Sequence, residues 1–562
     1  MNLKIFQRSR LPDRDGKKKK SNGPVSNSWS SGHFSLQKKE LLARLDGTES
    51  THHCSLPSIR TVEDDLLNDY DYSPELQDKF KGIRAKDFAR LDAQQCRYFD
   101  YTGGMVAPES LLRAHHLDLM SCVLGNPHSE HKPSKDATMI ELEARNKVLS
   151  FCDASPDEYV VIWTPNASGA LKVVGECYPF NKNGAYLYAP DCHNSLLGIS
   201  RFAEHKKATA KGFDFVSDTW CYDFDHFRSQ VQRLGKATTK APKLLGICGE
   251  SNVSGLVHNV KKYTDFAHSQ GWDVCLDAAA LAPTKKISMA RLGKPEFLCM
   301  SFYKIFGYPT GVGCLVAKKS ALMKFEKPWF AGGTVRVVGV SSNAIADFQV
   351  SGDKSAKYED GTINYTSFQA VINGLNYMET VGLEDLSKHV QYFSALLEQR
   401  LRSLTWPNGN PLVYIPPVVG EDEGRGNVIC AKFLNPDGSL LPHKVVEKVF
   451  CEKGIAARTG CFCNPGSALQ ILGPYLKRGS LSPKAYIEKY MVHFSKNDDA
   501  DRVITGNHWL GFVRMSVGLP TTMADMDGLL DCIQEDIISK PEEIQRASLK
   551  HIKSAPIPYG IC

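Results

Sequence analysis

Ser301-Phe-Tyr-Lys-Ile-Phe-Gly-Tyr-Pro-Thr-Gly-Val-Gly313 sets a single lysine, Lys304, at the end of an apolar run and follows it with a glycine-rich turn. The run before it, Glu296-Phe-Leu-Cys-Met-Ser-Phe302, reads as a short buried strand, and Gly311-Val-Gly-Cys-Leu-Val-Ala317 reads as the next. A lysine between two such strands is partly desolvated. Desolvation disfavours the ammonium form, so the amine becomes available as a nucleophile toward an aldehyde. For a lone lysine the competing reading is a surface residue in a strand turn, and the rest of the chain has to decide between them.

Upstream, short apolar runs alternate with helical patterns. Tyr159–Thr164, Ala185–Asp191, Lys243–Cys248 and Trp272–Asp277 read as strands, with helices at Ala170–Cys177 and Ser195–Lys206 between them. That alternation predicts an α/β domain with a mainly parallel sheet covered by helices on both faces, in which ligands gather at the carboxyl ends of strands. Downstream of about residue 390 the texture changes. Helices at Ser387–Leu404 and His443–Lys453, strands at Asn427–Phe433 and Phe512–Val517, and a last helix capped by Thr521 or Thr522 predict a smaller α+β domain. The expected divisions are a basic, Ser-rich tail (1–60), an N-terminal extension (61–96), a large domain (97–385), a small domain (386–540) and a weakly packed tail (541–562). The polar stretch Gly479–Gly506 reads as a surface excursion.

Composition narrows the function classes. The 562 residues, 42% apolar and 23% charged, are those of an ordinary globular protein with room for more than one domain. The net charge of +6 is carried largely by the segment Arg8–Lys20, which leaves nucleic-acid binding without support. No apolar run is long enough to span a bilayer, and Met1–Arg8 lacks the apolar core of a secretory signal, so a cytoplasmic location is expected. The 17 cysteines are scattered through expected strands and helices, such as Cys248, Cys275, Cys299 and Cys430, as buried reduced thiols are.

Three further features fall at expected strand ends. Asp277 closes the run Val274-Cys-Leu, where a carboxylate facing a pocket would keep a pyridine nitrogen protonated; standing alone it would read as a helix cap. Thr164-Pro-Asn-Ala-Ser-Gly-Ala170 joins a strand to a helix, so its free amides, including the backbone near Ala167, and the Ser168 hydroxyl form an anion site suited to phosphate. His193, just past Asp191, is placed to lay its ring on a flat cofactor. Each is weak alone. In this order on successive strands they are the parts needed to hold pyridoxal 5′-phosphate, with Lys304 as its anchor.

At this point a resemblance is plain. The Lys304 stretch resembles the cofactor-lysine motif of molybdenum cofactor sulfurases, a branch of the class V aminotransferase and cysteine desulfurase superfamily. So do Tyr98-Phe-Asp-Tyr-Thr-Gly-Gly104, Gly125-Asn-Pro-His-Ser129, Ser251-Asn-Val-Ser-Gly255, Glu359-Asp-Gly-Thr362 and Arg458-Thr-Gly-Cys-Phe-Cys-Asn-Pro-Gly466. The resemblance implies the type I fold of pyridoxal phosphate-dependent transferases, with a seven-stranded sheet in the large domain. It implies that Lys304 carries the cofactor and moves protons at the substrate. Ser168, Ser301 and the backbone near Ala167 would hold the phosphate, and His193, Asp277, Asn252 and Tyr303 would surround the ring. Thr362 matches a residue that reaches the neighbouring subunit's phosphate, which implies a homodimer. Arg514 matches the arginine that binds the substrate carboxylate, with Arg458 and Asn252 beside the substrate.

Cys463, the second cysteine of Arg458-Thr-Gly-Cys-Phe-Cys463, matches the nucleophile of desulfurases. Its thiolate, favoured by Arg458 nearby in sequence, would attack the Sγ of L-cysteine and leave alanine and an enzyme persulfide. Metal binding is disfavoured, because no second close pair of cysteines accompanies Cys461 and Cys463. Cys461 is expected to play a supporting role at most. Three departures accompany the resemblance: Ser467-Ala468 replaces the usual Ala-Cys, Ala280 stands where broader desulfurases carry glutamine, and Asn166-Ala-Ser168 has one hydroxyl fewer in the phosphate turn. The chain also ends soon after its last expected helix, without a molybdopterin-binding domain. The expected acceptor is therefore molybdenum cofactor on a separate protein, or some other sulfur acceptor. A C–S lyase on the same scaffold is the competing activity.

Overall fold

The computed structural model describes residues 65–127, 129–216, 219–235, 241–342, 344–349, 355–417, 424–460, 462–467, 470 and 511–554. The 1–60 tail, the polar stretch 479–506 and Cys461 lie outside the described residues. The strands are, in chain order, β1 (Arg97–Tyr98), β2 (Tyr159–Thr164), β3 (Ala185–Tyr188), β4 (Thr209–Gly212), β5 (Lys243–Cys248), β6 (Asp273–Asp277), β7 (Phe297–Ser301), β8 (Gly313–Lys318), β9 (Val335–Val340), β10 (Ile345–Gln349), β11 (Val413–Tyr414), β12 (Val428–Phe433), β13 (Ile455–Ala456), β14 (Arg458–Gly460) and β15 (Phe512–Ser516).

Seven of them form one sheet in the order β2-β8-β7-β6-β5-β3-β4. All neighbours are parallel except β8, which runs against both β2 and β7. Continuous apolar runs make this possible: every residue of β5 and β7 is buried, as expected of strands covered by helices on both faces. Each Leu, Ile, Val or Phe so buried contributes about 1.5–3 kcal/mol. Register then places the functional ends side by side. Thr164 and Ser301 both pair with Gly313, Cys248 pairs with Asp277, and Asp277 pairs with Cys299.

A second sheet, of four strands in the order β11-β12-β15-β14, is antiparallel throughout. The segment expected to open the large domain is bonded to this side: β1 pairs in parallel with β13, and Asp100 bridges Ser516. The helix expected over Ser195–Lys206 divides at Gly198 into Asn194–Leu197 and Ile199–His205. The last expected helix forms as Met523–Ile533. Thr522 is its cap, in a reciprocal box with Asp525. Beyond it, where the sequence suggests a weakly packed tail, Pro541–Ser554 is helical and buries Ile544 and Ser548. No helix among the described residues is long and apolar enough to cross a membrane. Cys248, Cys275, Cys299 and Cys430 are buried and free, as expected of reduced thiols.

Candidate active site

At the end of β7 the chain enters a one-turn helix, Phe302–Phe306, which the reading of a strand through Phe302 followed by a glycine-rich turn did not include. Phe302, Ile305 and Phe306, spaced i, i+3 and i+4, are buried, and this leaves Tyr303 and Lys304 half-buried on the other side. Gly307, at φ +81°, ends the turn in a conformation that other residues rarely adopt. Lys304 faces a cavity of about 120 Å³ at the strand ends. Ala167, Ser168, His193, Asn252, Asp277, Ser301 and Tyr303 line the same cavity, joined by Glu250, Ala279 and Ala280.

Burial holds the Lys304 ammonium below its ordinary pKa; Asp277 opposes the shift, and Arg514 and Arg458 add to it. Asp277 is 7% exposed, and its Oδ1 accepts from Ala279 N–H at 3.0 Å, so it both caps the turn and borders the cavity. The His193 imidazolium is also disfavoured. Burial is the main cause, with Lys304 and Arg514 adding to it against the pull of Asp277. Its Nδ1 accepts from Ser195 N–H at 3.1 Å, so the neutral ring carries its proton on Nε2. At the helix Ala167–Cys177, the Ala167 N–H already donates to Ser301 Oγ at 2.8 Å and the Gly169 N–H to Asn166 Oδ1 at 3.0 Å. Ser168 is exposed, and its hydroxyl pairs with Ser195 Oγ at 2.6 Å.

Arg514, Arg458 and Cys463 lie outside the lining of this cavity, on a second wall of the site that the smaller sheet and the loop after β14 contribute next to Asn252. Arg514 is 2% exposed. Its Nη2 donates to Asp100 Oδ1 at 2.8 Å, its Nη1 to the Asn252 carbonyl at 3.0 Å, and its guanidinium lies 4.8 Å from the centre of the Phe462 ring. Its Nε is buried without a hydrogen-bond partner among the described residues. Arg458 lies on the other side of the same carboxylate, with Nη2 2.7 Å from Asp100 Oδ2. Cys463 is half-buried, and its carbonyl accepts from Asn194 N–H at 2.7 Å, next to His193. The Phe462 carbonyl accepts from Asn252 Nδ2 at 2.7 Å. Thr362 stands apart. It is exposed on a different cavity, with Trp163, Glu359 and Phe368, and its Oγ1 accepts from Asn126 Nδ2 at 3.3 Å.

Sequence reasoning passed over Asp100, Asp191 and Glu250. Asp100 and Asp191 stand in stretches quoted above, yet each reads there as an ordinary strand residue. Glu250 precedes a quoted motif, and only its burial, with the raised carboxyl pKa that follows, sets it apart. Among the described residues no cluster of three or more His, Cys, Asp or Glu is arranged for a metal ion.

Known proteins carry the same arrangement of elements. The chain superposes on the apo cysteine desulfurase of Thermococcus onnurineus with a TM-score of 0.63 at 20% identity, covering 82% of this chain and 98% of that one. For a cysteine desulfurase of Escherichia coli the TM-score is 0.62 at 20% identity, with 81% and 97% covered. The expected type I fold, with its large mainly parallel sheet, is therefore the fold observed. By sequence, the chain is 31% identical over 485 residues to a molybdenum cofactor sulfurase of Solanum lycopersicum, covering 81% of this chain and 57% of that protein. It is 31% identical over 507 residues to one of Oryza sativa, covering 84% and 59%. The chain thus spans less than two thirds of the length of these curated relatives. The family model for aminotransferase class-V matches residues 97–529, from β1 to the helix Met523–Ile533. Because that match covers well over half of the chain and takes in both Asp100 and Arg514, the chain belongs to the aminotransferase class-V family.

Proposed function

We propose that this chain is a pyridoxal 5′-phosphate-dependent cysteine desulfurase that converts L-cysteine to L-alanine and keeps the sulfur as a persulfide on Cys463. The observation that supports this reading is the pair of hydrogen bonds tying residue 462 to Asn252, which lines the cavity that Lys304 faces, and residue 463 to Asn194, the neighbour of His193. The donor set fits the cofactor: an amine biased toward its neutral form, a carboxylate, a neutral imidazole and a hydroxyl at a helix start. When bound, pyridoxal phosphate draws electrons from the substrate Cα and weakens the bonds around it.

The residues divide the remaining work. Lys304 anchors the cofactor and moves a proton at the substrate Cα. Asp277 holds the pyridine N–H, His193 covers the ring, Asn252 and Tyr303 border it, and Ser168 and Ser301 meet the phosphate. Arg514 receives the substrate carboxylate at the place between it and Arg458 that Asp100 now fills. The Cys463 thiolate attacks the substrate Sγ. An S–S bond forms as the C–S bond breaks, and the carbon keeps that electron pair and takes up a proton to become the alanine methyl group. The relatives' names suggest molybdenum cofactor as the eventual sulfur acceptor, and the position of Thr362 away from the cavity of its own chain is compatible with a role across a homodimer. A cytoplasmic setting suits the buried free thiols.

The test is incubation of the purified protein with L-cysteine, measuring alanine and protein-bound persulfide. Wild type is expected to yield both. Cys463→Ala should lose the persulfide and at least about a hundredfold in alanine release while keeping the visible absorbance of the cofactor, and Lys304→Ala should lose absorbance and products together. Pyruvate and ammonia in place of alanine would point to a lyase and sink the proposal.

A further inference from the structure

Phe462 and Cys463 have φ of +58° and +55°, a left-handed conformation that residues with side chains adopt at a cost. Such a conformation persists only where its surroundings hold it, and here the holding group lies outside the cavity. Asp191 is fully buried two residues before His193. Its Oδ1 accepts from Asn464 Nδ2 at 2.6 Å, from Ser251 Oγ at 2.8 Å and from Ser467 Oγ in a short contact. Its Oδ2 faces His258 Nε2 at 3.5 Å and Ser254 Oγ at 3.4 Å. Burial pushes this carboxyl toward protonation, but His258 and the Ser467 and Ser251 hydroxyls outweigh it and hold the pKa below the ordinary value. Two of the donors, Asn464 and Ser467, belong to the loop that carries Cys463. Asn464 Nδ2 also reaches Asn252 Oδ1 at 3.0 Å. Backbone fit completes the seat: a Cβ on Gly466 would come within 1.9 Å of the Pro190 carbonyl oxygen, so only glycine lets the loop settle beside Asp191.

We propose that the Asp191 carboxylate is a latch that holds the Cys463 loop in its strained conformation at the rim of the cavity, through Asn464 and Ser467. Asp191 and Ser467 are then positioning residues for the thiol. The role in sulfur transfer rests on the reading of Cys463 as the sulfur acceptor; the latch itself does not. When it opens, the loop relaxes and the thiol leaves the rim.

Alkylation of the full-length protein by iodoacetamide, without L-cysteine, tests the latch independently of any activity. Ser467→Ala and Asp191→Asn should speed alkylation of Cys463 by about tenfold, the factor expected when a hydrogen bond to a buried carboxylate is lost from a local opening equilibrium. Cys192 and Cys248, which are buried, should stay unmodified, and Ser467→Thr should behave as wild type. With L-cysteine, kcat for persulfide formation in Ser467→Ala should fall while KM holds. An unchanged Cys463 rate in both variants would overturn the latch. So would a parallel rise at Cys192 and Cys248, because the bonds would then support the fold and not the loop. If wild type forms no persulfide yet Cys463 alone is exposed by Ser467→Ala, the latch stands and the desulfurase reading falls.

Discussion

The two walls of the site are built by different means. On one, Lys304, Asp277 and Ser301 sit at or just past the ends of neighbouring strands, and sheet register fixes their spacing. On the other, register also sets Arg458 opposite Arg514 on β14 and β15, but Asp100 is tied to both by ion pairs, and the loop with Cys463 is held by hydrogen bonds to segments far away in the chain. A wall made by register moves only if the sheet does. Ion pairs and side-chain hydrogen bonds can be exchanged one at a time, so Asp100 and the Cys463 loop can shift while both sheets stay in place.

Asp100 offers the strongest way to break this contrast. Its carboxylate stands between Arg514 and Arg458, in a place that a substrate carboxylate could share. Asp100→Ala would leave the Arg514 guanidinium buried without its counter-charge and should destabilise the protein by about 3–5 kcal/mol in chemical denaturation. Arg458 is half exposed and should add little. Saturating L-alanine should recover part of the loss in the variant and do less for wild type. Equal stability of the two proteins would mean that this wall is not held by the ion pair.

Glu250 sits where the walls meet. It borders the cavity, is 2% exposed, and its Oε1 accepts from Asn427 N–H at 3.2 Å, just before β12. Burial raises its carboxyl from 4.5 to about 8, with Lys285 and the Asn427 amide opposing. Between those values the unfolded chain gives up the proton while the folded chain keeps it, so stability falls as pH rises. The slope is about 1.4 kcal/mol per pH unit, so about 2–3 kcal/mol is lost between pH 5 and pH 7. Glu250→Gln should remove that component and be the more stable protein at pH 7. Parallel pH profiles for the two proteins would show that Glu250 ionises normally.

The contrast between the walls also explains what the sequence made legible. Lys304, Asp277 and His193 could be found because each follows an apolar run that periodicity marks as a strand, and position at a strand end already implies a place at the pocket. The one-turn helix at Phe302–Phe306 was missed because five residues are too few for a helical period to stand out from a strand end. Asp100 and Asp191 were missed for another reason. Arg514 lies 414 residues from Asp100, and Ser467 lies 276 residues from Asp191. No local pattern announces such a pairing. Arg514 and Cys463 were found through resemblance alone, and resemblance did not reveal that most of the Arg514 fork is already engaged or that a carboxylate beneath the loop holds the cysteine.

Two serines separate the walls at the smallest scale. Ser301 Oγ ties the end of β7 to the start of the helix Ala167–Cys177 through the buried Ala167 N–H, while Ser467 Oγ ties the cysteine loop to Asp191. Ser301→Ala strands that amide, and a stability loss of about 1–3 kcal/mol should follow, together with a weaker visible absorbance of bound cofactor at a fixed cofactor concentration. Its Cys463 alkylation rate should remain that of wild type, because no contact of the loop is touched. Ser467→Ala should do the reverse, keeping the absorbance and exposing the thiol. If either variant moved both readouts together, the two walls would be one cooperative unit, and the division between register and exchangeable contacts would be a description of geometry without energetic content.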